Sequence, residues 1–255
     1  MSKLPNEYQF IDLSDYGRPV AKIIANYFKN TAITPIHVTL SFVLCGIFAI
    51  VCILYNYFWA TAILLIMKSI LDAADGELAR LNERPSYTGR YLDSVSDIVL
   101  NILILVAIWY ISDGSFIYTI LALIGLQLQG TLYNYYYVIL RNKFNGDTTS
   151  RIFEKDIPTA LKGEKQQHVT ILFKLYRLFY GIFDYIIYQL DSTAKDSKYL
   201  PKWFMTAVST FGLGFQLLLI SLMLVLNLKE YIIPFFIIYS AFIFVFIGIR
   251  RFINR

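Results

Sequence analysis

The chain has 255 residues, of which 57% are hydrophobic, 17% aromatic and 16% charged, and its mean hydropathy is +0.54. Soluble domains carry about 25% charged residues, so composition argues against a disordered chain, a disulfide scaffold and an ordinary soluble enzyme, and for an integral membrane protein. The net charge of +5 then reads as the basic side of a membrane protein rather than a nucleic-acid surface, and no nucleic-acid partner is expected.

The first fifteen residues have no apolar core after Lys3, so no cleaved leader is expected. After Ser14 and Asp15, Pro19 suits a first helical turn. Val20, Ile23, Ile24, Tyr27 and Phe28 then share one helical face, with Lys22, Asn26 and Lys29 off it. This predicts an amphipathic helix on the membrane surface within the cytoplasmic N-terminus, 1–34. Stretches of about 20 apolar residues predict six spans, at 35–57, 59–81, 89–111, 116–140, 204–228 and 231–249. Very short joints make helical hairpins of the first and second, third and fourth, and fifth and sixth. Cys45 and Cys52 lie two turns apart in the first span, about 10 Å, which is too far for a disulfide.

Spans one to four occupy 35–140, an insertion follows at 141–203, and spans five and six with a tail occupy 204–255. Within the insertion, 169–190 is apolar enough to suggest a seventh span. Yet Thr170, Lys174, Arg177, Gly181, Asp184, Tyr188 and Asp191 form one polar stripe, and a further crossing would place Arg250 and Arg251 on the wrong side. The segment is therefore expected to lie at the interface or to line a cavity. Of the 23 basic residues, 21 fall on one side of the six-span layout, Lys68 and Lys229 being the exceptions. By the positive-inside rule both termini and the 72–97 region are cytoplasmic. The expected fold class is an all-α integral membrane protein: six transmembrane helices, an N-terminal amphipathic juxtamembrane helix, and an interfacial helix between spans four and five.

The chemistry concentrates where span two ends and span three begins. Asp72 and Asp75 are three apart on one helix, and Asp93 and Asp97 four apart on the next, so each pair shares a face. A hairpin loop lets the pairs confront one another at one depth. A carboxylate within a membrane costs about 2.5–3.5 kcal/mol even on lenient scales. A salt-bridge cluster would need about four cations, and only Lys68 and Arg80 are near. Two divalent ions would neutralise the four carboxylates, and all-oxygen ligation points to Mg²⁺ or Mn²⁺. Metal pairs of this kind promote displacement at phosphorus. Gly76 and Gly89 leave room for a ligand or a neighbouring helix, and Arg80 could grip phosphate oxygens.

The pattern Asp72-x2-Asp75-Gly76-x2-Ala79-Arg80-x8-Gly89-x3-Asp93-x3-Asp97 resembles, at every fixed position, the signature of the CDP-alcohol phosphotransferase (CDP-alcohol phosphatidyltransferase) family. The six-span layout and the helix before span one are similar to the family too. Pro35-Ile36-His37-Val38-Thr39 resembles its Pro-Asn-x-Val-Thr start of span one, with Ile36 in place of Asn, so that asparagine's contact is not carried over.

The resemblance implies a transferase of phospholipid biosynthesis, dependent on two Mg²⁺ or Mn²⁺ ions, that passes a substituted phosphate from a CDP-linked donor to an alcohol and releases CMP. By position, it makes Asp72, Asp75, Asp93 and Asp97 metal ligands, with Asp97 also the base. Gly76, Ala79 and Gly89 would leave room for the nucleotide, and Arg80 would hold the donor phosphates. A homodimer among membrane lipids is implied as well. The expected donor is CDP-diacylglycerol and the acceptor a small polar alcohol. The reverse arrangement, a soluble CDP-alcohol donating to diacylglycerol or another alcohol, uses the same motif and stays open.

Glu77 makes the motif resemble the inositol-phosphate-using and unassigned branches of the family more than the glycerophosphate or serine branches, although its helical angle takes it off the aspartate face and reads as solvated. Lys174 and Arg177 are a candidate acceptor-phosphate site, with lipid-headgroup contact as the alternative. His37 and His168 are isolated. Gln127, Gln129 and Asn134 line the cleft or bond between helices, and Tyr133, Tyr135, Tyr136 and Tyr137 read as an interfacial aromatic belt. Three rivals predict different patterns. An intramembrane prenyltransferase would separate its Asp-rich motifs, a carboxylate-site cation transporter would place polar groups at mid-membrane on several helices, and an inactive relative would lack part of the aspartate set.

Overall fold

A computed structural model describes residues 4–83, 85–144, 154, 156–197 and 199–255. Lys3, Arg84, Arg151, Lys155 and Lys198, counted in the charge bias, lie outside them. The regular structure is entirely helical among the described residues: α1 Arg18–Phe28, α2 Pro35–Leu54, α3 Phe58–Leu81, α4 Tyr87–Ser112, α5 Phe116–Lys143, α6 Gln166–Leu190, α7 Lys202–Val208, α8 Leu213–Val225, α9 Lys229–Tyr239 and α10 Phe242–Ile253, with short 3₁₀ turns.

Local chemistry sets the helix boundaries. Pro35 opens α2 where a missing N–H costs nothing. The backbone N–H of Thr34 donates to His37 Nδ1 at 3.0 Å, so this lone histidine is a helix cap. Ser86 Oγ caps α4 by accepting from the N–H of Gly89 at 2.8 Å. The tight joints after α2, α4 and α8 turn through Asn56, Asp113 and Asn227, all at positive φ, which Asn and Asp tolerate better than other side chains. The expected hairpins follow from these turns.

Four stretches are long and apolar enough to cross a membrane: α2, α4, α5 and Lys229–Ile253, the last comprising α9 and α10. A fifth appears if α7 and α8, bent by 55°, count as one. The sixth expected span is α3, whose 24 residues suffice in length but whose Lys68, Asp72 and Asp75 interrupt the apolar run. By length and apolar composition alone, four spans stand out, or five with the bent pair. The span expected at 204–228 is bent. It breaks at Gly212 because the N-terminal segment is seated there. A Cβ on Gly214 would lie 2.0 Å from the carbonyl oxygen of Ser14, and one on Gly212 would lie 2.3 Å from its side chain. The N–H of Leu13 donates to Ser209 Oγ at 2.9 Å, and Tyr133 donates to Asp12.

α3 packs against α1, α2 and α8, while α4 packs against α2 and α6. Helix α1 buries Ala21 and Ala25 and turns Val20, Ile23 and Tyr27 outward, so its small residues meet the protein. Helix α6 is pinned at both ends. Glu164, just before it, bonds to Ser86 and Thr88 at the start of α4. Asp191, just after it, is buried against Arg250 and accepts from Tyr136 at 2.7 Å. The aromatic-belt expectation fails for Tyr133, Tyr135 and Tyr136, which are buried. Their hydroxyls reach Asp12 and Asp191, so they tie the chain's extra segments to α5. Gln129 bonds between helices, to Ser240 Oγ at 2.9 Å and Gln216 at 3.1 Å.

Candidate active site

The two aspartate pairs reach each other because α3 and α4 are joined by only a few residues. One carboxylate oxygen from each of Asp72, Asp75 and Asp93 lies within 4.8 Å of the others. Asp75 is buried and its Oδ2 accepts from Thr39 Oγ1 at 2.6 Å. Asp93 Oδ1 is buried without a hydrogen-bond partner. Among the described residues, no cation forms an ion pair with any of these three. The nearby cations are otherwise engaged. Lys68 Nζ lies 2.5 Å from Asp97 Oδ1, and Arg80 Nη2 lies 3.1 Å from Glu77 Oε1. Sequence spacing brought four carboxylates together, whereas the structure groups three and gives the fourth, Asp97, to a lysine.

Buried like charges repel strongly in a low-dielectric setting, so three unpaired carboxylates invite a cation. The donors are all oxygen, one of them orphaned, and this set fits a hard divalent ion such as Mg²⁺ or Mn²⁺.

Arg80 lies on the same side of the hairpin. Its Nε is buried and unpartnered. A Cβ on Gly76 would lie 3.5 Å from its terminal nitrogens, in ordinary van der Waals contact. Glu77 is not solvated as its helical angle suggested. It is bracketed by Arg80 and by Arg18, whose Nε donates to Glu77 Oε1 at 2.7 Å, because α1 docks along that flank of α3. Gly89 sits at the cap, where a Cβ would approach Ser86 Oγ to 3.2 Å. Ala79 is half-buried, one turn beyond Asp75.

The insertion reaches the motif through two carboxylates that sequence spacing did not single out. Glu154 pairs with Arg90 and accepts from the Tyr91 hydroxyl at 2.5 Å. Glu164 accepts from Ser86 Oγ and from the Thr88 N–H, each at 2.7 Å, and from the Leu161 N–H at 3.0 Å. Partial burial works to raise the pKa of Glu164, but these hydrogen bonds outweigh it and hold the carboxyl below its ordinary value. Tyr180 of α6 donates to the Ser94 carbonyl at 2.9 Å, between Asp93 and Asp97. Lys174 and Arg177 are exposed, flanking the packed face formed by Val169, Phe173 and Tyr176.

Thr39 and Lys68 are the functional neighbours that sequence spacing did not assign. Thr39 had a signal in the Pro-x-x-Val-Thr stretch. Lys68 was visible as an ionisable residue in a span, but its partner lies 29 positions away.

An apolar helical fold holding a divalent-ion-type carboxylate site beside an arginine with an unpartnered Nε fits a membrane-embedded enzyme acting on phosphate groups. Residues 32–247 match the family model of CDP-alcohol phosphatidyltransferase, and the chain belongs to that family. It is therefore a transferase of substituted phosphate groups, which uses CDP-linked substrates and alcohol acceptors within membranes. No curated protein matches the sequence.

Proposed function

We propose that the chain transfers the phosphatidyl group of CDP-diacylglycerol to the hydroxyl of a small polar alcohol and releases CMP. The observation that carries this reading is the trio Asp72, Asp75 and Asp93, without a cation partner, beside Arg80 with its unpartnered Nε. In this reading the four aspartates hold two divalent ions, Mg²⁺ or Mn²⁺. When bound, such ions neutralise negative charge developing on the donor's diphosphate. Arg80 grips the phosphate oxygens, held in direction by Glu77, and the small residues Gly76, Ala79 and Gly89 leave room for the nucleotide. Asp97 takes the proton from the acceptor hydroxyl as its oxygen bonds to phosphorus and the bond to the CMP oxygen breaks. Lys174 and Arg177 receive the acceptor's phosphate where the acceptor carries one.

The same reading makes α3 a sixth span, with its charged end at the cytoplasmic face together with both chain termini. It also makes α6 an interfacial helix across that face. Support comes from the two anchors of α6, one at the start of α4 and one at Arg250, both groups that the charge bias assigns to the same side. The working unit is proposed to be a homodimer. A soluble CDP-alcohol donating to diacylglycerol is the second reading, since the motif serves either donor.

The test is CMP release by detergent-purified protein with Mg²⁺ and CDP-diacylglycerol, supplied singly with inositol, inositol phosphate, glycerol phosphate or serine. A parallel arm contains CDP-choline and diacylglycerol. Acceptor-dependent release that is lost in Asp97→Asn supports the proposal and names the acceptor class. Release confined to the CDP-choline arm supports the second reading. No release in any arm from folded protein rejects both donor assignments.

A further inference from the structure

Lys68 takes no part in the chemistry described above. It lies one turn before Asp72 on α3 and is fully buried. Its ammonium sits 4.9 Å from the centroid of the Phe42 ring and 2.5 Å from Asp97 Oδ1. Burying an ammonium is costly even when it is paired, and an apolar side chain would serve helix packing at least as well. The position of the charge is the informative feature. Of the four motif carboxylates, three converge without a cation, and the fourth is the one that Lys68 holds.

An ammonium and a divalent ion that share the Asp97 carboxylate repel each other across a poorly screened site, and the ammonium already holds Oδ1. Resting on the two-ion reading above, we infer that Lys68 is a positioning residue that competes with the second divalent ion for Asp97. The ions then bind in order. The first enters at Asp72, Asp75 and Asp93, where no ammonium must be displaced. The second enters only as Lys68 gives up Asp97. Until then Lys68 keeps Asp97 apart from the other three carboxylates. Removing the lysine charge should therefore tighten the second ion most, and the first by much less because no ammonium must be displaced there.

The test is a Mn²⁺ titration of the purified full-length protein without substrate, read by electron paramagnetic resonance. Free ion is counted from its six-line signal and paired ions from their spin-coupled spectrum. Wild type is expected to show one tight and one weaker ion. In Lys68→Met the first Kd should fall by no more than about threefold. The second should fall by about tenfold or more, as expected for removal of a neighbouring charge, and the coupled spectrum should emerge at correspondingly lower Mn²⁺. Lys68→Arg keeps the charge and should retain the wild-type order. Lys68→Gln provides the same comparison should the methionine variant not fold. Two tight ions in wild type overturn the inference, as do unchanged second-ion affinity in the neutral variants or an arginine variant that behaves like them. If wild type binds no Mn²⁺ at all, the metal reading itself fails, so the two failures are distinguishable.

Discussion

Thr39→Val isolates a single hydroxyl at the site. Thr39 is 2% exposed, and its Oγ1 lies 2.6 Å from Asp75 Oδ2 and 3.1 Å from the Pro35 carbonyl. With one proton to give, the hydroxyl directs it to the closer, charged acceptor. Valine has nearly the same shape, so the substitution deletes the bond and little packing, and leaves a buried carboxylate oxygen unsatisfied. A hydrogen bond to a charged group contributes about 1.5–3 kcal/mol. Groups that orient metal ligands typically change metal affinity by about 10–100-fold when lost, which is the same range expressed as a ratio. First-ion Mn²⁺ affinity, measured by paramagnetic resonance, is therefore expected to drop by about 10–100-fold in Thr39→Val. CMP release should recover in part at saturating Mn²⁺. Thr39→Ser keeps the donor and should bind within about threefold of wild type. If Thr39→Val binds Mn²⁺ as wild type does, the hydroxyl does not orient Asp75 and the reasoning is refuted.

Two further outcomes follow from the groups around the motif. Glu77→Gln removes the charge that holds Arg80 and Arg18. The donor KM should rise by about tenfold, the value of a little over 1 kcal/mol, with kcat changed by less than about threefold. An unchanged donor KM would mean that Arg80 orients itself without Glu77. Glu164, whose folded pKa is depressed, should contribute its anchoring fully above the ordinary glutamate value and lose it as pH falls through the lower folded value. Hydrogen exchange at the Thr88 and Leu161 amides should accelerate over that acidic window, after correction for the intrinsic pH dependence of exchange. Glu164→Gln should abolish the window, and amides that stay protected in wild type at the acid end would count against this role.

Regular spacing made much of the site legible before any folding was considered. Asp72 and Asp75 must share a face of α3, and Asp93 and Asp97 must share a face of α4, because a helix turns by a fixed angle per residue. A joint of a few residues then keeps the motif-bearing ends of the two helices close, while α2 packs against both. The apolar runs made the helical membrane class legible in the same way, since backbone groups in lipid must bond within their own helix. The tyrosines of α5 misled because a tyrosine at a lipid interface and one buried on a carboxylate look alike in sequence. Its apolar ring and polar tip suit either place.

What one-dimensional pattern could not supply was the pairing of charges across long separations. Lys68 and Asp97 lie 29 residues apart, Arg18 and Glu77 lie 59 apart, and Arg250 and Asp191 lie 59 apart. No periodicity relates such positions. Helical angle predicted an exposed Glu77, and only the docking of α1 along α3 turned that flank into an arginine-lined one. The count of strongly apolar spans changed for a related reason. Apolar length reads α3 as a sixth span, but its charges become acceptable only where packed neighbours partner or surround them. The bend at Gly212 exists because Ser14, some 200 positions earlier, is packed against it. Helix periodicity and lipid solvation act over neighbouring residues, so sequence reports them directly. Which cation neutralises which carboxylate depends on distances that only the packed helices create.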